Sequence, residues 1–97
     1  MNDTLRQKIA LLPDSPGCYL MKDKGEIIYV GKASNLANRV RGYFGAQPHS
    51  MKVQAMVDRV DDFDVILAAT NLEALMLESN LIKLHRPFYN ILLKDDK

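Results

Sequence analysis

With a single cysteine the sequence can form no internal disulfide, and its two histidines stand too far apart for zinc-ligand spacing. It has no tryptophan, no internal repeat and no low-complexity tract. No apolar run approaches the length of a membrane span, and residues 1–13 are too polar for a secretory signal. These absences lead us to expect a cytoplasmic protein with no membrane association. Cys18 is expected to pack as a small apolar residue rather than act as a nucleophile.

A strong excess of one charge is missing too, since the formal net charge is +1. The charges are nevertheless segregated. From Ile27 to Val57 the chain has Lys32, Arg39, Arg41 and Lys52 and no acid, whereas Asp58, Asp61, Asp62 and Asp64 cluster just beyond. A phosphate-binding surface needs a local basic patch rather than a high total, so the segment is either such a patch or an ordinary solvated face.

What is present fits one small domain of 97 residues with a modest core. Gly17 to Gly31, GCYLMKDKGEIIYVG, reads as two strands around a three-residue turn at Asp23-Lys24-Gly25. Pairing centred on Lys24 sets Tyr19 opposite Tyr29 and Gly17 opposite Gly31. Alternation then puts Cys18, Leu20, Ile28 and Val30 on a core face. Tyr19, Met21, Ile27 and Tyr29 take the other face, with a glycine at each rim leaving room for a partner. Two adjacent phenols either stabilise the hairpin as a cross-strand pair or belong to a site.

The remaining elements follow from caps and periodicity. Asn2 or Asp3 caps a first helix with Leu5, Ile9 and Leu12 inward, ended by Pro13. Ser34 caps a second, running to Phe44 and stopped by Gly45, with Leu36, Val40, Tyr43 and Phe44 as its buried stripe. Asn35, Arg39 and Tyr43 recur at i, i+4 and i+8 along the edge of that stripe. Ser50 caps a third helix with Val53, Met56, Val57 and Val60 inward and Lys52 and Arg59 outward. His49, in the loop before it, has no partner near in sequence and is expected to be a loop residue rather than a ligand. Residues 63–69 form a third strand, and Thr70-Asn71-Leu72-Glu73 opens the longest helix as a capping box, ending before Pro87. Residues 88–93 read as extended, with Asn90 bonding a neighbouring backbone or orienting a catalytic group.

Glu78 stands out on that longest helix. At about 100° per residue it falls among Ala74, Leu75, Leu81 and Ile82, in the apolar stripe. A buried carboxylate needs a partner, either an internal cation such as Arg39 or Lys32 or a bound metal. With the two tyrosines and the basic residues, this is a set that phosphodiester cleavage can use. A single carboxylate ligand with a water shell suits magnesium or manganese.

Gly17-Cys18-Tyr19 and Tyr29-Val30-Gly31, followed by Gly31-Lys32-Ala33, Arg39 to Tyr43, Glu73 to Glu78, Asn80 to Lys83 and Arg86 to Asn90, resemble the GIY-YIG nucleases. Within them the match is to N-terminal domains of the UvrC group, the incision subunits of bacterial nucleotide excision repair. The first tripeptide departs from the family name at Cys18. The resemblance implies an α/β protein of the α+β type, a small three-stranded antiparallel sheet flanked by helices. It further implies Tyr29 as general base with Tyr19 beside it positioning water or phosphate, leaving open which of the two takes the proton. Lys32 and Arg39 become the basic residues of the site, Tyr43 the phenol after the arginine, Glu78 the ligand of Mg2+ or Mn2+, and Asn90 a polar residue completing the pocket.

The implied activity is a metal-dependent cut on the 3′ side of a lesion in damaged double-stranded DNA held by UvrB, with UvrA acting upstream. The alternative is a non-catalytic nucleic-acid or partner-binding module in which Glu78 is held in an ion pair. Residues 1–97 are expected to be one such domain, the N-terminal fragment of a longer chain, because Lys94-Asp95-Asp96-Lys97 closes with no element of its own. A monomer is expected, on the argument that no apolar surface stripe remains after the helices pack.

Overall fold

The computed structural model describes residues 1–94; the expected run-on end at 95–97 lies outside the described residues. The order is α1 (Asp3–Ala10), β1 (Gly17–Asp23), β2 (Glu26–Ala33), α2 (Leu36–Phe44), α3 (Met51–Arg59), β3 (Asp62–Leu67), α4 (Asn71–His85) and α5 (Phe88–Leu93). The three strands form an antiparallel sheet in the order β2-β1-β3, so β1 is central. Among the described residues no helix is long and apolar enough to cross a membrane.

Local chemistry starts each of the first four helices. Asn2, Asn35, Ser50 and Thr70 are the N-caps, each side chain accepting the backbone N–H three residues on. The cap of α2 is therefore Asn35 and not Ser34. Its amide also donates to Asp14 at 3.1 Å, which ties the helix start to the preceding turn. The acids expected to cluster are taken up by this scaffold. Lys8 reaches Asp62 at 2.7 Å, Lys22 reaches Asp64 at 2.8 Å, and Asp61 accepts the Lys24 backbone N–H at 2.9 Å. Arg59, exposed as expected, pairs at the surface with Asp23 at 3.0 Å and lies over the Tyr89 ring, joining α3 to the hairpin and α5.

The hairpin register differs from the symmetric one. Asp23 pairs with Glu26, so the turn has two residues, Lys24 at φ 52° and Gly25 at φ 84°. That backbone is the left-handed pair favoured in two-residue hairpins. A bulge between Met21 and Lys22 then shifts the ladder again, and Tyr19 faces Gly31 while Met21 faces Tyr29. The space at Gly31 is filled from inside: a Cβ there would collide with the Tyr19 ring and hydroxyl. Gly17 is likewise closed off, by the Ile66 carbonyl and Leu36. Neither glycine leaves a gap for a partner.

The expected core face is buried, but the tyrosine face is buried as well. Tyr19, Met21, Ile28, Ala33 and Phe63 join Leu5, Leu36, Val40 and Met56 in the main core, and Tyr29 and Tyr43 pack against it. The tyrosine face thus belongs to the main core. Cys18, Leu20 and Val30 are also buried, on the side covered by α4, where the Cys18 thiol donates to the Ala74 carbonyl at 3.3 Å. Both faces of the hairpin are covered.

Two further expectations fail. Residues 88–93 are helical, because Tyr89, Leu92 and Leu93, at i, i+3 and i+4 after the extended Pro87, form the stripe that packs on the core. The premise that packing removes every apolar stripe also fails, since Leu72, Met76, Leu84, Phe88 and Ile91 are exposed on α4 and α5. Substituting Gly31→Ala is expected to lower folding stability by about 1–3 kcal/mol through overpacking against Tyr19, read as a shifted urea midpoint at unchanged slope.

Candidate active site

β2 is an edge strand, so every second residue turns its backbone N–H and C=O outward, away from β1. Side chains of α4 and α5 take them. Asn90 of α5 accepts the Val30 N–H at 2.8 Å and donates to the Val30 carbonyl at 2.8 Å. Two residues on, Glu78 Oε2 of α4 accepts the Lys32 N–H at 2.9 Å. Asn90 therefore bonds the strand itself, and its amide acts by positioning β2.

Glu78 is half-buried, not enclosed. Of the residues beside it on the helix wheel only Ala74 is buried, while Leu81 and Ile82 are intermediate and Leu75 is exposed. The apolar stripe is real as a pattern, but α4 lies along the sheet's open edge, so solvent reaches the carboxylate. Its partner is a backbone N–H, and no ion pair to Arg39 or Lys32 occurs among the described residues. The second carboxylate oxygen has no hydrogen-bond partner among them. No group of three or more His, Cys, Asp or Glu is placed to hold a metal among the described residues. An ion at Glu78 would therefore keep most of its shell as water, and that donor set fits magnesium or manganese.

On the core face three phenols converge. The Tyr19 and Tyr43 rings lie 5.6 Å apart with their hydroxyls sharing a 2.8 Å hydrogen bond, and the Tyr19 and Tyr29 rings are 6.2 Å apart. Arg39, one turn before Tyr43 on α2, is exposed, and its guanidinium makes no hydrogen bond or ion pair among the described residues. Lys32 stands apart from this cluster. It pairs across the ladder with Cys18, so its side chain starts from the α4 side of the sheet and it meets Glu78 through its backbone.

The electrostatics follow from this layering. Burial first, then the Tyr43 and Tyr29 phenols, push the Tyr19 phenol well above its ordinary value. Burial, Tyr43 and then the Glu78 charge raise Tyr29. The Arg39 charge opposes both shifts. On the other face, burial and then Glu78 push the Cys18 thiol up to about 11, so it is inert at neutral pH.

One participant carried no sequence signal beyond its loop position. The imidazole of His49 packs beside the Tyr43 ring, with centroids 6.1 Å apart, and its Nε2–H donates to the Tyr43 carbonyl oxygen at 3.0 Å. His49 thus holds the last turn of α2, where carbonyls lack helical partners. Only the folded loop brings it back over Tyr43.

Comparison with known proteins gives the following. A family model described as the UvrC-like GIY-YIG domain matches residues 15–91. The UvrABC system protein C of Streptococcus pneumoniae (strain JJA) is 57% identical over 98 residues, covering 100% of this chain and 16% of that protein. The protein of the same name from Streptococcus pneumoniae serotype 2 (strain D39 / NCTC 7466) is also 57% identical, over the same share of each. The chain thus spans 16% of the length of these curated relatives. Among solved structures, the GIY-YIG N-terminal endonuclease domain of UvrC from Thermotoga maritima, bound to its catalytic divalent cation magnesium, matches with a TM-score of 0.81 and 43% identity. That match covers 92% of this chain and 98% of the other. A Tyr-to-Phe point mutant of the same domain, bound to its catalytic divalent cation, matches with a TM-score of 0.82 and 42% identity, again covering 92% and 98%.

Because Tyr19 and Tyr29 are raised above the ordinary phenol value of 10.0, the folded state holds their protons more tightly than the unfolded one. Their contribution to stability is fully present below about pH 10 and is lost as pH rises from there toward the folded values. Denaturation at stepped alkaline pH should show this decline, and it should be shallower in Tyr29→Phe, whose site carries one titrating phenol fewer.

Proposed function

The chain belongs to the family of UvrC-like GIY-YIG domains, and from that membership we propose that it is a divalent-metal-dependent DNA endonuclease domain of nucleotide excision repair. The reading extends to its substrate and partners: it hydrolyses a phosphodiester bond on the 3′ side of a lesion, in damaged double-stranded DNA held by UvrB after UvrA has acted. It further treats residues 1–97 as one domain of a longer protein. The observation that carries the proposal is the meeting of three phenols and an unpaired guanidinium at a strand whose outer edge holds a half-exposed carboxylate.

Each group has work in such a cut. Arg39, with no competing acid, donates to the phosphate oxygens and balances the charge that develops on them. Burial keeps the Tyr29 phenol protonated at neutral pH, so at rest it is a hydrogen-bond donor and proton relay. The Arg39 charge opposes that shift only in part, so base action by Tyr29 would need further positive charge at the site, which a bound cation would supply. Tyr43 and Tyr19 fix that phenol's surroundings through their shared hydrogen bond. Glu78, oriented by the Lys32 N–H, offers its second oxygen to the cation. A bound Mg2+ or Mn2+ supplies Lewis acidity toward a phosphate oxygen and lowers the pKa of a coordinated water. Asn90 holds β2 in register beneath these groups.

Glu78→Gln retains an oxygen for the Lys32 N–H but loses the charge a cation needs. The variant should remain folded and lose incision by about 10²-fold or more, along with localised manganese broadening of amide signals around residues 32 and 78. Undiminished incision by the folded variant would refute the role given to the carboxylate. Arg39→Ala should lower kcat by about 10²–10³-fold while KM changes far less, measured on a lesion-bearing duplex with the UvrB complex. A loss confined to KM would reassign Arg39 to anchoring.

A further inference from the structure

Beside the phenol cluster an open cleft of about 590 Å³ runs between α2 and the loop leading into α3. Arg39 and Tyr43 belong to both the cleft and the cluster, and the remaining polar wall is Ser34, Asn35, Asn38, Gln47 and His49. Its lining contains no aspartate or glutamate. Asn38 and Gln47 are exposed and their amides make no hydrogen bond among the described residues. Of the other grooves, one carries Glu26 beside Phe88 and Ile91 and another Asp64 beside Lys8; a third, lined by Arg6 and Arg41, is also free of acid but shares no residue with the phenol cluster.

Resting on the nuclease reading above, we propose that this cleft is the subsite for the sugar–phosphate backbone next to the cut phosphate, so that the DNA strand leaves the phenol cluster over α2 toward α3. A polyanion is repelled by the acid-bearing β3 side and meets no carboxylate here. Amide and hydroxyl donors suit sugar and phosphate oxygens, which position a duplex without reading its sequence. Arg39, at the boundary, spans both sites. His49 links them physically, since it lines the cleft while holding the Tyr43 carbonyl.

The test adds a carboxylate to the cleft and, as control, to an equally exposed place outside it. Asn38→Asp and Gln47→Glu are compared with Gln7→Glu on α1, using the isotope-labelled chain and a short duplex at low salt. Asn38→Asp and Gln47→Glu should each weaken duplex binding at least about fivefold while Gln7→Glu stays within about twofold, with wild-type amide shifts centred on residues 34, 38, 47 and 49. Equal weakening by all three, shifts confined to other surfaces, or no binding at millimolar duplex would each overturn the subsite. The two proposals separate cleanly. Incision that persists unchanged in Asn38→Asp rejects the cleft alone, whereas duplex seated in the cleft with no metal-dependent cut rejects the nuclease reading alone.

Discussion

The outer edge of β2 is the constraint on which the structure depends. An edge strand presents unpaired donors and acceptors to solvent or to another chain, and leaving them bare invites mispairing. Here Asn90 closes Val30 with two hydrogen bonds and Glu78 closes Lys32 with one, so α4 and α5 are fastened to the strand by polar side chains. A carboxylate placed for this purpose is necessarily at the sheet margin and partly solvated. That position leaves one oxygen over for a cation, which an internal ion pair would not.

The opposite requirement governs the other side of the same strand. Tyr19 is 2% exposed, and a buried hydroxyl must be hydrogen-bonded. It finds Tyr43, and its ring lies where Gly31 has no Cβ. Stability and reactivity therefore share residues. The burial that makes Tyr19 a core residue also keeps its proton on, and Arg39 is the nearby charge that works against that effect.

Charge segregation completes the arrangement. Asp62, Asp64 and Asp61 are engaged by Lys8, Lys22 and the Lys24 backbone on the β3 side. Lys22, hydrogen-bonded to Asp64, holds that carboxyl below its ordinary range. With Asp62 and Asp64 paired to lysines on the β3 side, Arg39 keeps an unpaired charge, and the cleft beside it has no acid in its wall.

Much of this was legible from residue order alone. Caps at Asn2, Ser50 and Thr70 and the three strands follow from local patterns, because capping and periodicity act within a few residues, whereas the grouping of Tyr19, Tyr29, Arg39, Tyr43 and Glu78 came from motif order along the whole chain. The helical state of residues 88–93 was missed because a six-residue apolar run satisfies both periods until the partner surface is known. Register, and the burial of both faces of the hairpin, were decided only by tertiary structure. A two-residue turn and one bulge move the ladder by two places without changing any side chain. The same holds for Glu78: its helical position was set by sequence, but its half-exposure and its N–H partner came from α4 lying along an open edge. The sequence by itself determined which chemical groups the protein has and which elements carry them. Folding decided which groups meet, since that depends on contacts between residues far apart in the chain, such as Glu78 with Lys32 and Asn90 with Val30.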